Sequence, residues 1–299
     1  LLSFTKEGAR DSRRHDRLSA TVAKAEGAAE KKSLLYLRAR RVVLYNKQEG
    51  APALKPSATP PGLDFPRPLV TVDLVIFSVR DDALKVLLVR RPDAPGEPFP
   101  GRWALPGGFV DIARDASLID CARRKLHEKT GVAAPYLEQL GSWGGAQRDP
   151  RGWSATHAFF ALIPGGELVS PQGAQAAPAE WTDAAAASRK RLAFDHGEIL
   201  AAAIARLRGK VEYTSLPAFL LPEPFTLPQL QHTYEVVLGR PVDKSAFRKR
   251  MLDAGFMAEA GPVESASGRP AMGYRLRDRA QPAVFPRTFS PREAEVPDA

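Results

Sequence analysis

Trp103-Ala104-Leu105-Pro106-Gly107-Gly108-Phe109-Val110-Asp111, then a polar bend, then Ser117 to Val132 ending in Arg-Arg-Lys-Leu-His-Glu-Lys-Thr-Gly-Val: this stretch decides how the chain is read. Its order is strand end, glycine loop, helix. Leu118, Ala122 and Leu126 recur at i, i+4 and i+8 as an apolar stripe, which leaves the other face turned outward toward the loop. Positions 125, 128 and 129 share that face, being spaced i, i+3, i+4. They are Lys, Glu and Lys.

The stretch resembles the Nudix box, whose pattern is Gly, five residues, Glu, seven residues, then Arg-Glu-apolar-x-Glu-Glu-x-Gly-apolar. Arg124, Leu126, Glu128, Gly131 and Val132 fall on that frame, but Lys125 and Lys129 stand at two carboxylate positions. The first Glu is absent as well. Counting forward from Gly108 reaches Arg114 and counting back from Arg124 reaches Ala116, so the loop is two residues longer, with Asp111 and Asp115 nearby. A working Nudix helix gathers oxygens for a divalent metal, and Mg²⁺ requires hard carboxylate ligands. One Glu between two ammonium groups repels that ion and attracts a pyrophosphate directly. The expectation is a Nudix fold that binds without cutting. No catalytic residue and no metal ligand is assigned, and no cofactor is required. The alternative is a Nudix hydrolase, an ADP-ribose pyrophosphatase of low activity, with Glu128 and Asp115 or Asp111 holding metal.

Bulk properties narrow the partners. The 299 residues suggest two domains plus tails, and 44% apolar residues suffice for ordinary cores. A net charge of +9 makes a polyanionic partner worth testing. The single Cys121 excludes an intramolecular disulfide and is expected to pack in the core. No apolar run reaches membrane-span length, Leu34 to Tyr45 being broken by Arg38, Arg40 and Arg41. With no secretory pattern either, the expected location is the cytoplasm, away from any membrane. The chain begins at Leu1, as a fragment or an extended reading frame would. Residues 1–68 are expected to be a poorly ordered extension and Pro-rich linker, and no function is assigned to them.

Residues 69–210 form the first expected domain. Val70–Ser78 and Leu84–Arg91 are β-rich runs around Arg-Asp-Asp, a hairpin pattern. Strands are expected at 137–143, 154–163 and 180–181, a loop at 165–179, and a helix over 192–207 ended by Gly209. Residues 211–280 form the second. Thr226 is an N-cap with Gln229 at the capping-box position, and Asp243 caps a second helix. Two strands then flank a tip holding Ser267-Gly268-Arg269-Pro270. Helix, turn, helix and hairpin is the order of a winged helix-turn-helix. In the second helix Phe247, Met251 and Ala254 should pack inward. Lys244, Ser245, Arg248 and Lys249 should face a major groove of double-stranded DNA, with Arg269 at the wing suited to the minor groove. From Gln281 to Ala299 a Pro-rich tail is expected.

Taken together the motifs resemble the Nudix-related transcriptional regulators of NAD metabolism, the NrtR family, from about Leu69 to Asp278. The residues carrying the likeness include Leu-Pro-Gly-Gly-Phe-Val-Asp, Arg148-Asp149-Pro150-Arg151-Gly152-Trp153, Leu192-Ala193-Phe194-Asp195-His196 and Ser267-Gly268-Arg269-Pro270. The resemblance implies an α+β chain, a Nudix α/β/α sandwich followed by a winged helix-turn-helix. It also implies a homodimeric repressor that senses ADP-ribose and binds an operator near NAD biosynthesis or salvage genes. On that reading Gly107 and Gly108 admit the ligand, Lys125 and Lys129 beside Glu128 face its pyrophosphate, and Asp149, Arg151 and Trp153 line the site. His196 is a further ligand candidate, and Arg124 orients the box loop. The winged domains are expected to hang from the Nudix pair through a short connection, Gly209 to Pro224. A third reading is a DNA-binding protein whose Nudix domain binds no ligand.

Overall fold

A computed structural model of the chain describes residues 66–133, 136–165, 178–264, 270–286 and 288–289. The first half is built on strand β1 (Leu69–Arg80). Val72, Leu74 and Ile76 enter one core cluster and Val75 and Phe77 another, all fully buried. Successive side chains alternate faces, so this strand is covered on both sides. Asp81 and Asp82 adopt left-handed backbone angles (φ 49° and 54°) and turn the chain into the antiparallel β2 (Ala83–Arg90), the expected hairpin.

On its other edge β1 pairs in parallel with β6 (Gly152–Leu162), which pairs in turn with β5 (Tyr136–Asp149). With β3 (Trp103–Ala104) the order is β3-β2-β1-β6-β5, while β4 (Gly107–Phe109) joins β1 and β7 (Ala179–Asp183) joins β2. Helix α1 (Leu118–Thr130) seals one face through Cys121, Ala122 and Leu126. Cys121 is fully buried, and burial above all pushes its thiol up to about 12, which fits packing and not reactivity. After the short α2 (Ala184–Ala187), helix α3 (His196–Val211) covers the opposite face with Ile199, Leu200 and Ala203. The result is the expected α/β/α sandwich.

Two boundaries differ from expectation. Helix α3 starts at His196 and runs through Gly209 to Val211; Phe194, at φ 53°, interrupts any helix from Leu192. Strand β5 continues past Trp143 through Gly144 and Gly145 to Asp149, because the ladder with β6 holds those glycines extended.

The second half is a winged helix-turn-helix. Thr226 and Gln229 form both halves of a capping box on α4 (Leu227–Leu238), which ends at Gly239 in the left-handed region (φ 72°). Asp243 caps α5 (Lys244–Asp253), and β8 (Phe225–Thr226), β9 (Met257–Val263) and β10 (Ala271–Leu276) form a sheet in the order β8-β10-β9. Phe247 and Met251 pack inward. Ala254 does not: it caps the end of α5 and is exposed.

The expected short hanging connection is corrected by the structure. Residues 209–211 are the last turn of α3, and Leu216–Leu220 is a fully buried 3₁₀ turn. Leu207, Val211, Phe219, Leu230 and Tyr234 share one core cluster with Val75 and Phe77 of the sandwich. The Tyr234 hydroxyl donates to the Thr214 carbonyl at 2.7 Å. Part of the expected tail also folds back. Phe285 is buried and its N–H donates to the Tyr213 carbonyl at 2.7 Å. Phe289 packs on Tyr234 and Phe247, with the Arg250 guanidinium 4.0 Å from its ring centroid. Among the described residues no helix is long and apolar enough to cross a membrane.

Candidate functional site

The site starts from Gly107 and Gly108, whose strand β4 lies against β1. A Cβ at Gly107 would sit 2.2 Å from the Asp73 carboxylate and 2.6 Å from the Val72 carbonyl, so only glycine fits there. A Cβ at Gly108 would lie 3.0 Å from the Lys125 ammonium nitrogen. The α1 lysine therefore stands directly over the glycine loop, as its helix face predicted.

Around it Asp115 and Glu128 are both held by cations. Arg124 donates to both oxygens of Asp115, at 2.7 and 2.6 Å, and the Asp111 N–H donates to one of them at 2.8 Å. Asp115 is thus the partner of the box arginine, one residue before the position where the pattern has Glu. This paired hydrogen bonding with Arg124 holds its carboxyl well below the usual carboxylate range. Glu128 meets three cations: Arg124 at 3.0 Å, Lys125 at 3.5 Å and Arg114 at 3.6 Å. Burial tends to raise the Glu128 carboxyl, but the Arg124 hydrogen bond and the Lys125 charge outweigh it and the net shift is downward. Lys129 follows one turn later on α1, half-buried.

The Nudix frame implies a divalent metal at this helix, and the donor set does not fit one. An ion would have to displace guanidinium groups from both Asp115 and Glu128, and Lys125 would remain beside it. Among the described residues no cluster of three His, Cys, Asp or Glu side chains is arranged to hold a metal. The surroundings suit an anion instead.

Arg151, in the turn between β5 and β6, reaches this region: its guanidinium lies 5.0 Å from the ring centroid of Phe109, the residue after Gly108. It is oriented by Asp149, which accepts from the Arg151 backbone N–H at 3.0 Å and from its guanidinium at 3.0 and 2.7 Å. Asp149 is 2% exposed, and its carboxylate orients Arg151. Trp153 is half-exposed at the start of β6 and packs by Gly144, free to offer a ring face. His196 is buried; its Nδ1 accepts from the Leu105 N–H at 2.8 Å and its Nε2 faces Asp73 at 3.4 Å.

Sequence reasoning missed Asp73, Arg148 and Asp195. Arg148 is buried and donates to Asp73 and to Asp195, each at 2.8 Å. The available signal was a lone Asp within the otherwise apolar middle of β1.

On the winged half, Lys244, Ser245, Arg248 and Lys249 are all exposed along the N-terminal part of α5, opposite Phe247 and Met251. Lys249 also reaches Asp253 at 3.1 Å. Arg269 lies outside the described residues.

Residues 217–276 match the NrtR DNA-binding winged helix domain and residues 68–203 the NUDIX domain. The chain is 46% identical over 233 residues to the ADPR responsive transcriptional repressor NtrR of Acinetobacter baylyi, covering 78% of this chain and 92% of that one. It is also similar to two solved structures of Shewanella oneidensis NrtR. The free protein is 43% identical, with 74% of this chain and 99% of that one covered and a TM-score of 0.67. The complex with a 27mer DNA is 41% identical at the same coverage, with a TM-score of 0.66.

Proposed function

Because the chain belongs to the NrtR family of Nudix-related transcriptional regulators, we propose that it is a repressor that binds operator DNA through α5 and releases it when its Nudix domain takes up ADP-ribose. The observation that carries the effector half is the arrangement at α1: an ammonium over the glycine loop, with the one box Glu tied to three cations. Lys125 and Lys129 face the pyrophosphate, Arg151 adds a third cation held by Asp149, and Trp153 offers a face for stacking. Cations placed by the protein supply the charge that a metal supplies in a hydrolase, without its Lewis-acid chemistry. The domain therefore binds its ligand and leaves the pyrophosphate intact. The named Acinetobacter relative responds to the same nucleotide.

The DNA half rests on α5. Its inward face is fixed by Phe247 and Met251, and its outward face offers Lys244, Ser245, Arg248 and Lys249 to phosphates and base edges. A homodimer would place two such helices on half-sites about 34–36 Å apart or a multiple of it. The regulated genes are those of NAD biosynthesis or salvage, as the family likeness implies. Gel shift on the region upstream of the protein's own gene, with and without ADP-ribose, tests the proposal. A shift abolished by the nucleotide supports it; a shift indifferent to saturating ADP-ribose rejects the effector half, and no shift rejects that region as operator.

A further inference from the structure

Four ionisable side chains cluster where the Nudix sheet meets the start of α3: the buried Asp73 of β1, Arg148 near the end of β5 and His196 of α3, with the partly buried Asp195 just before that helix. Arg148 bridges Asp73 and Asp195, and His196 stands against Asp73. Such a cluster is an expensive way to hold a fold, since apolar residues of similar volume would serve as well or better. One oxygen of Asp195 is buried with no partner, so the cluster has acceptor capacity that this arrangement leaves unused. Next to it Phe194 is held at φ 53°, a sparsely populated region for a bulky residue.

What the cluster touches shows what it can do. At one end it grips the glycine loop: Gly107 abuts Asp73, the Leu105 N–H donates to His196, and the Ala193 N–H donates to the Trp103 carbonyl at 2.9 Å. At the other end it fixes the N-terminus of α3, 16 residues long and so spanning about 24 Å. The far end of that helix holds the helix-turn-helix. Arg208 donates to the Val237 carbonyl at 3.2 Å, and Glu212, just past the helix, accepts from Arg240 at 2.7 Å in the turn between α4 and α5.

We propose that Arg148 and Asp195 are positioning residues for the effector response: they couple the position of the glycine loop to that of α3, which carries the shift to α4 and α5. The inference rests on the ADP-ribose reading given above and adds the route by which the nucleotide acts. A ligand that draws the loop toward Lys125 and Arg151 changes what Asp73 offers Arg148. Arg148 then redistributes its hydrogen bonds toward Asp195, whose free oxygen can take them, and the start of α3 moves. The mechanism needs a bridging guanidinium. A lysine at 148 is a single point donor that cannot hold two carboxylates in the same planar geometry.

The test uses the full chain as wild type, Arg148→Lys and Asp195→Asn; the latter keeps the shape and one acceptor, and protects against loss of the fold. Two readouts are taken: the factor by which ADP-ribose changes affinity for the operator duplex, and the change that ADP-ribose causes in amide exchange over residues 196–211. The expected result is that both variants bind ADP-ribose within about threefold of wild type while the coupling factor, of order 5- to 150-fold in wild type, falls to within twofold of one. Variants that couple as wild type does would overturn the relay. If wild type itself shows no ADP-ribose effect on DNA binding, the sensor reading fails and the exchange readout still decides. An ADP-ribose response along α3 in wild type that is lost in the variants supports the relay; an identical response in all three, or none in any, overturns it.

Discussion

Replacing Lys125 by methionine isolates the charge at the centre of the site. The stem of Lys125 packs over Gly108, and methionine retains most of that apolar contact. Its ion pair with Glu128, 3.5 Å long and partly exposed, contributes no more than about 1 kcal/mol, and Glu128 keeps Arg124 and Arg114. Stability should therefore change little. Ligand affinity should change much more, because a hydrogen bond to a charged group is worth roughly 1.5–3 kcal/mol, or about 10- to 150-fold in dissociation constant. Lys125→Glu replaces attraction by repulsion and should cost about twice that free energy. Calorimetric titration of ADP-ribose into wild type and both variants, with thermal unfolding as the control, reads the two effects separately. Dissociation constants within twofold of wild type in both folded variants would refute the assignment of Lys125 to the pyrophosphate.

Three further outcomes are expected. Asp115→Ala leaves the partly buried Arg124 with Glu128 as its one carboxylate partner and should destabilise the chain by about 2–3 kcal/mol, less than the roughly 3–5 kcal/mol of a fully stranded buried charge. Since the Asp115 carboxyl is depressed in the folded state, its contribution is fully present above the unfolded value of about 3.9 and fades as pH falls further; denaturant titrations of variant and wild type should converge in acid. Arg248→Ala should weaken operator binding by roughly 1–3 kcal/mol if the lost contact is to a base, and Lys249→Ala should lower the salt slope by about one if it is to phosphate; unchanged affinity at every salt concentration would show that the face is misassigned. Phe285→Ala removes a buried ring from the segment that folds back on the winged half and should cost about 3–5 kcal/mol by chemical denaturation, whereas a loss below about 1 kcal/mol would mean that the segment adds nothing to that core.

Features written in local chemistry were legible in the sequence. The capping box at Thr226 and Gln229, the cap at Asp243 and the β-rich run of β1 each need only neighbouring residues, and each stands where expected. The outward lysine on α1 was legible too, because three apolar residues at helical spacing fix the opposite face. What escaped depends on partners far away in the chain. Arg148 finds Asp73 across 75 residues, and β5 continues through Gly144 and Gly145 only because β6 lies beside it. Nothing near His196 in sequence reveals that it lies against Leu105 and Asp73. The short connection expected from Gly209 to Pro224 begins inside a helix instead, because the other face of that helix is buried in the shared core.

The proposed function requires that ADP-ribose and operator DNA favour different arrangements of one protein. Thermodynamic linkage makes it reciprocal: if the nucleotide weakens operator binding by some factor, the operator must weaken nucleotide binding by the same factor. Titrating ADP-ribose calorimetrically, in the absence of operator duplex and at saturating operator duplex, measures that factor directly. The expected dissociation constant is roughly 5- to 150-fold higher with DNA bound. Identical dissociation constants in the two titrations would contradict it, however tightly each ligand binds alone.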